Sequence, residues 1–270
     1  MERPSLNKNR RMNLLAGIRE LVLGTARHGL RTRLGDRLVR RLNRRDIAAY
    51  RKAHSVHKLH LGCGERTLPR WLNADRPSLR HILRSSPALG MDCVNSLPLP
   101  IDSDSFDFAY SEHFHEHLPY QNGLRLLEET FRILKPNGRV RIAVPDLDFL
   151  FDMMRSDGSF KEYCEAQKDQ IDHTEGLLGA PVNKTTFLNL MFRGFEHKYL
   201  YSRESLHEQL KRAGFVDIVT LAPGQSDFAE LRGLETDPTA RKDTLELHVS
   251  YTISFEGRKP ASRGSINECG

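Results

Sequence analysis

No stretch of this 270-residue sequence is a continuous apolar run of the roughly 18 residues that a membrane-crossing helix needs. The longest N-terminal apolar stretch, residues 12–24, is broken by Arg19 and Glu20, and no small-residue cleavage site follows it. These absences argue against a spanning segment and a secretory leader, and predict a cytoplasmic protein. Cysteine is scarce too. Cys63, Cys93, Cys164 and Cys269 are scattered, with no Cys-x-x-Cys pair. That argues against a cysteine zinc site or a disulfide framework and fits a reducing compartment. No internal repeat is present.

Acidic residues are sparse at one end only. Residues 1–58 hold 16 Lys+Arg and 4 Asp+Glu, a balance of +12, whereas the other 212 residues hold 25 and 31, a balance of −6. The high pI is therefore a property of an N-terminal arm, residues 1–55. The arm reads as helical: Leu14, Ile18, Leu21 and Val22 share one face, and Leu30, Leu34, Leu38 and Leu42 recur every four residues. Seven arginines, from Arg31 to Arg45, crowd the other faces of the second run. Such a helix can pack its leucines on the main domain, lie on an anionic membrane, or bind nucleic acid. No aromatic residue interleaves the arginines, which weighs against nucleic acid.

From Lys58 onward, short apolar runs alternate with helical patterns. Strands are expected at 58–61, 71–75, 90–94, 106–111 and 139–145, with late strands over 215–222 and 245–255. Helices are expected over 121–134 and 202–214. Gly138 is assigned the left-handed position that ends the first helix, beside Pro136, which cannot continue it. Ser202 and Gly214 cap the second. This alternation predicts an α/β fold: a doubly wound, mostly parallel sheet with helices on both faces. Residues 151–200 break the rhythm as a partly helical insertion, and 258–270 read as a mobile tail.

The first strand ends in Gly62-Cys63-Gly64, where an open parallel sheet binds its ligands. Glycine lets backbone approach a ligand closely. Asp75 ends the second strand, placed to accept hydrogen bonds from both hydroxyls of a ribose. Only six residues, 65–70, separate Gly64 from that strand, room for about one helical turn at ~3.6 residues per turn. A dinucleotide site wants a third glycine, here Arg66, and an acid about 20 residues on. A nucleoside cofactor without a pyrophosphate fits better.

Three blocks carry a resemblance: KLHLGCGERTLPRWLNAD, LPLPIDSDSFDFAYSEHFHEHL and EETFRILKPNGRVRIAVPDL. Over roughly residues 56–257 the chain resembles the class I S-adenosylmethionine-dependent methyltransferases, in the branch with a shortened first loop. The resemblance implies a Rossmann-like fold and S-adenosylmethionine as cofactor. It also implies roles: Gly62, Cys63 and Gly64 against the methionine moiety, Asp75 on the ribose, Asp92 with Cys93 at the adenine edge, and Ser111 with Glu112 at the sulfonium side. Arg70 departs from the branch, which usually has glycine before the tryptophan.

SEHFHEHLPY, residues 111–120, follows the fourth strand. Continued as a strand, it would put His113, His115 and His117 on one face, as a metal site requires. Pro119 favours a loop or a helical turn, with His113 and His117 on one side and His115 elsewhere. Three readings stay open: a structural turn, an acid/base site in which His113 or His117 deprotonates the acceptor, and a metal site. His113 and His117 are the candidate catalytic residues, and no residue is assigned as a metal ligand. The insertion is placed to act as a lid. Its aromatic residues, Tyr163, Phe187, Phe192, Phe195, Tyr199 and Tyr201 among them, either line an apolar pocket or form a small core of their own. The reading is a methyltransferase that acts on an oxygen or nitrogen of a small molecule, sugar or glycolipid precursor, with possible peripheral contact to an anionic membrane through the arm. The alternative is a degenerate binding module that works through the arm.

Overall fold

The computed structural model describes residues 33–76, 88–93, 97–155, 159–236 and 251–261. The first half of the arm and the proposed tail beyond 261 lie outside them. Seven strands form one sheet: β1 (Lys58–Leu61), β2 (Leu72–Asp75), β3 (Leu89–Gly90), β4 (Phe106–Glu112), β5 (Leu134–Pro145), β6 (Val216–Leu221) and β7 (Thr252–Arg258). Their order is β3-β2-β1-β4-β5-β7-β6. Strands β1 to β5 pair in parallel, and β7 runs antiparallel to both β5 and β6. The chain therefore winds outward from β1 in one direction and from β4 in the other. In open sheets of this topology ligands bind near such a reversal, beyond the carboxyl ends of the strands.

One face of the sheet is apolar. Leu59, Leu61, Ala109, Val140, Ile142 and Phe255 share a core with Leu124 and Leu127 of α2 (Tyr120–Ile133) and with Leu206 and Leu210 of α7 (Arg203–Arg212). Helix α1 (Arg33–Ala53) joins the same core through Ile47, and the Tyr50 ring stacks on Phe106. The arm's second half thus packs on the main domain, while Arg41, Arg44 and Arg45 remain exposed. Among the described residues no helix is long and apolar enough to cross a membrane.

The opposite face is polar. Register aligns Asn73, His60, Tyr110, Arg141 and Glu256 in one row across β2, β1, β4, β5 and β7. All five are buried, beneath the irregular segments 62–71 and 222–236, whose Leu68, Trp71 and Leu231 pack on Tyr110. Arg141 has no exposed side-chain surface. It donates to Glu235 at 2.7 and 2.8 Å, to Glu256 at 2.7 Å and to the Gln225 carbonyl at 2.8 Å. Bidentate pairing satisfies the guanidinium and fastens segment 222–236 to the sheet.

Several boundaries differ from the sequence expectations. Helix α2 runs straight into β5, whose first residues pair Leu134 with Phe106. The left-handed residue is Asn137, φ 65°, not Gly138. Gly138 is needed for space, because a Cβ there would sit 2.8 Å from the Lys135 carbonyl oxygen. Strand β3 is two residues long and lies at 89–90 rather than 90–94. The final strand is 252–258 rather than 245–255, and 241–250 lie outside the described residues. Helix α7 is capped as expected: the Ser202 side chain accepts from the Ser205 amide, and Gly214 is left-handed at φ 102°. The Gly214 amide bonds the Lys211 carbonyl and the Phe215 amide bonds that of Leu210, which satisfies the last turn.

The insertion holds α3 (Leu147–Arg155), α4 (Ser159–Ala166), α5 (Lys168–His173), α6 (Lys184–Asn189) and a π turn (Leu190–Gly194). Tyr163 and Phe187 pack with Leu150, Phe160, Ile171 and Leu190 in a core separate from that of the sheet. Phe195 borders this core, Tyr199 and Tyr201 join the main core, and Phe192 is exposed. Most of these aromatic residues are thus structural.

Candidate active site

A cavity of about 410 Å³ opens at the carboxyl ends of β2 and β3 and beside the turn after β4. Asp75, Asp92, Cys93, Phe114, His117 and Lys198 are among its walls. Four residues singled out in the sequence, Asp75, Asp92, Cys93 and His117, therefore meet there. Asp75 is half-buried, and its carboxylate accepts the Arg76 amide at 2.6 Å. The Asp75 carbonyl accepts the Met91 amide at 2.8 Å, which sets the β3 end beside the β2 end. Cys93 is buried, with its thiol against the Met91 carbonyl. Burial, reinforced by the Asp92 and Asp75 charges, pushes that thiol's pKa far up. Cys63 is buried as well. Burial and then the Asp75 charge push its thiol up to about 12. Both thiols stay protonated, so they are packing groups rather than nucleophiles.

The two glycines of the loop do different work. Both are left-handed, at φ 67° for Gly62 and 54° for Gly64. A Cβ on Gly62 would fall within 3.0 Å of three carbons of the Phe114 ring, whereas one on Gly64 would meet nothing within 4 Å. Phe114 thus fills the side of Gly62, and the open approach to the loop is at Gly64.

The remaining residues are engaged by the protein. Glu112 is half-buried and pairs with Arg66, which also donates to the Leu234 carbonyl. The arginine at the third-glycine position has thus found a carboxylate. Ser111 is buried, its hydroxyl 3.1 Å from His115 Nδ1. Burial pulls the His115 imidazole down to about 4, so it is neutral. Residues 115–117 form a single 3₁₀ turn. His113 is left-handed at φ 46°. Its Nδ1 lies 2.9 Å from Glu116 Oε1 and its Nε2 lies 2.8 Å from the Thr252 hydroxyl. Both of its ring nitrogens are occupied, and of the two candidate bases only His117 reaches the cavity wall.

Glu116 and His197 carry a part of the site that local spacing does not reveal. Glu116 is wholly buried. Burial alone would raise its carboxyl pKa, but the His113 hydrogen bond and the imidazoles of His113, His197 and His117 outweigh it and hold the pKa below the usual range. The Glu116 carbonyl accepts the Lys198 amide at 2.7 Å and the Tyr199 amide at 3.1 Å. That pairing sets His197 beside His117, with ring centroids 5.0 Å apart. Burial lowers the His197 pKa to about 4.

A family model described as a methyltransferase domain matches residues 30–220. No curated protein matches the sequence. Similar solved structures include an S-adenosylmethionine-dependent methyltransferase, possibly a histamine N-methyltransferase, of Thermotoga maritima (16% identity, 82% of this chain and 92% of that one, TM-score 0.42). Another is an S-adenosylmethionine-dependent methyltransferase of Archaeoglobus fulgidus (14%, 82% and 94%, 0.43). A third is phosphoethanolamine N-methyltransferase 2 of Haemonchus contortus in complex with S-adenosyl-L-methionine (14%, 81% and 52%, 0.42). With the family model spanning most of the sheet, the chain belongs to the methyltransferase-domain family.

Proposed function

We propose that the chain transfers the methyl group of S-adenosylmethionine, in line, to an oxygen or nitrogen of a small-molecule, sugar or glycolipid-type acceptor. The observation that carries this reading is the cavity where Asp75, Asp92 and His117 meet. In this reading Asp75 holds the ribose hydroxyls, and Asp92 with Cys93 borders the adenine edge. The loop Gly62-Cys63-Gly64 borders the methionine moiety, which approaches at Gly64. The Phe114 ring faces the sulfonium, whose positive charge suits an aromatic face.

The acceptor enters beside His117, Glu196 and Lys198, so the end of the insertion shapes its selection. Alignment of nucleophile, methyl carbon and sulfur supplies much of the rate. The exposed Arg41, Arg44 and Arg45 of α1 support peripheral contact with an anionic surface, where a glycolipid acceptor would be concentrated.

The test is release of S-adenosylhomocysteine across panels of hydroxylated, amine, sugar and glycolipid acceptors, with Asp92→Ala in parallel. Turnover of one panel, reduced in the variant, is expected. Tight cofactor binding with no turnover on any panel would refute the acceptor assignment.

A further inference from the structure

We propose that Glu116, His117 and His197 form a binding site for one divalent transition-metal ion of the zinc type, at the wall of the cofactor cavity. One ligand atom from each lies within 4.8 Å of the other two. Two imidazoles and one carboxylate are a donor set that zinc and its neighbours take, with a fourth position left to water or substrate. Magnesium and calcium prefer all-oxygen sites and are disfavoured. Bond lengths of about 2.0–2.2 Å put tetrahedral ligand atoms about 3.3–3.6 Å apart, so small side-chain rotations close the site.

Three further observations point to a cation. Glu116 Oε2 has no hydrogen-bond partner among the described residues, although the side chain is wholly buried. A buried carboxylate oxygen left bare is costly, and a metal ion would satisfy it. His197 Nδ1 lies 2.5 Å from the Met191 carbonyl oxygen, so that nitrogen carries the hydrogen and Nε2 keeps its lone pair. Imidazole ligands are oriented by this kind of outer hydrogen bond. Glu116 Oε1 is held by His113, itself held by Thr252, so the carboxylate too has an outer support.

The site gives the histidine-rich turn a use in methyl transfer, and that part rests on the proposed function. His117 borders the cavity, so an ion held by it lies next to the space the acceptor enters. A hydroxyl bound there has its proton acidity raised and releases that proton to water at the cavity mouth. Its oxygen lone pair forms the bond to the methyl carbon as the carbon–sulfur bond breaks. The bonding pair goes to sulfur and yields S-adenosylhomocysteine.

The test is titration of the chelator-treated full chain with Zn²⁺ by calorimetry and with Co²⁺ by ligand-field absorption. S-adenosylhomocysteine binding is measured on the same samples. One equivalent of metal per chain is expected. His197→Ala and His117→Ala should abolish stoichiometric uptake. His113→Ala, a change to a positioning residue, should weaken it about 10–100-fold. Retained S-adenosylhomocysteine binding in His197→Ala shows that the variant is folded. A wild-type chain that binds S-adenosylhomocysteine but neither metal overturns the metal site and leaves the methyltransferase reading standing. Uptake that survives in folded His197→Ala and His117→Ala overturns it equally. Metal uptake without S-adenosylhomocysteine binding supports the site and counts against the cofactor assignment instead.

Discussion

Alanine substitution of the two loop glycines should separate fold from binding. At Gly64, φ is 54° and a Cβ would meet nothing within 4 Å. The substitution then costs only the left-handed penalty, about 1–2 kcal/mol. At Gly62 the same penalty applies, and a Cβ would fall within 3.0 Å of three carbons of Phe114. Those carbons are Cγ and both Cδ atoms, near the anchored end of the ring, so the whole ring must move. Overpacking of this kind costs about a further 1–3 kcal/mol. Urea unfolding should therefore show Gly62→Ala losing about 2–5 kcal/mol in all, taking the two terms together. Calorimetry should show the reverse ranking at Gly64, with S-adenosylhomocysteine affinity falling while the fold holds. A double-mutant cycle of Gly62→Ala with Phe114→Ala should return a coupling of about 1–3 kcal/mol. Equal destabilisation by the two alanines, or no coupling to Phe114, would refute the division of labour.

Arg141→Met leaves Glu235 and Glu256 buried without their cation and should destabilise the chain by about 3–5 kcal/mol in urea. A loss under about 1 kcal/mol would show that the buried cluster contributes little. His60 and His115 are held near 4 by burial, against an ordinary value of 6.5. Both pKa values are depressed in the fold, so the stability they confer is present above pH 6.5 and is lost as pH falls towards 4. Each should cost about 2 kcal/mol between pH 7 and pH 5 in unfolding measurements. A flat profile over that range would contradict their burial as neutral groups.

The sheet was legible because its strands are short apolar runs ended by turn residues, and because the loop and acid at the ends of β1 and β2 depend on neighbours a few positions away. The cap of α7 was legible for the same reason: Ser202 and Gly214 act on their own helix. The end of α2 was not, because the tertiary ladder of β5 with β4 overrides the turn chemistry of residues 135–138. Arg66 looked like a misfit until its partner Glu112, 46 residues away, was in view. Arg141 is the one charged residue in the apolar second half of β5, residues 140–145, and its carboxylates lie 94 and 115 residues on. The site's least legible part is His197, which reaches Glu116 and His117 only through backbone pairing at Lys198 and Tyr199. No periodicity or local motif encodes that contact.

The central claim is that the cavity at the ends of β2 and β3, beside the turn after β4, holds the cofactor through Asp75. It is tested most directly by calorimetric titration of S-adenosylhomocysteine into the purified chain and into Asp75→Ala. Two charge-assisted hydrogen bonds to the ribose are each worth about 1.5–3 kcal/mol, so the variant should bind at least about 100-fold more weakly. Equal affinity in wild type and variant, or no binding by the folded wild type, would contradict the account.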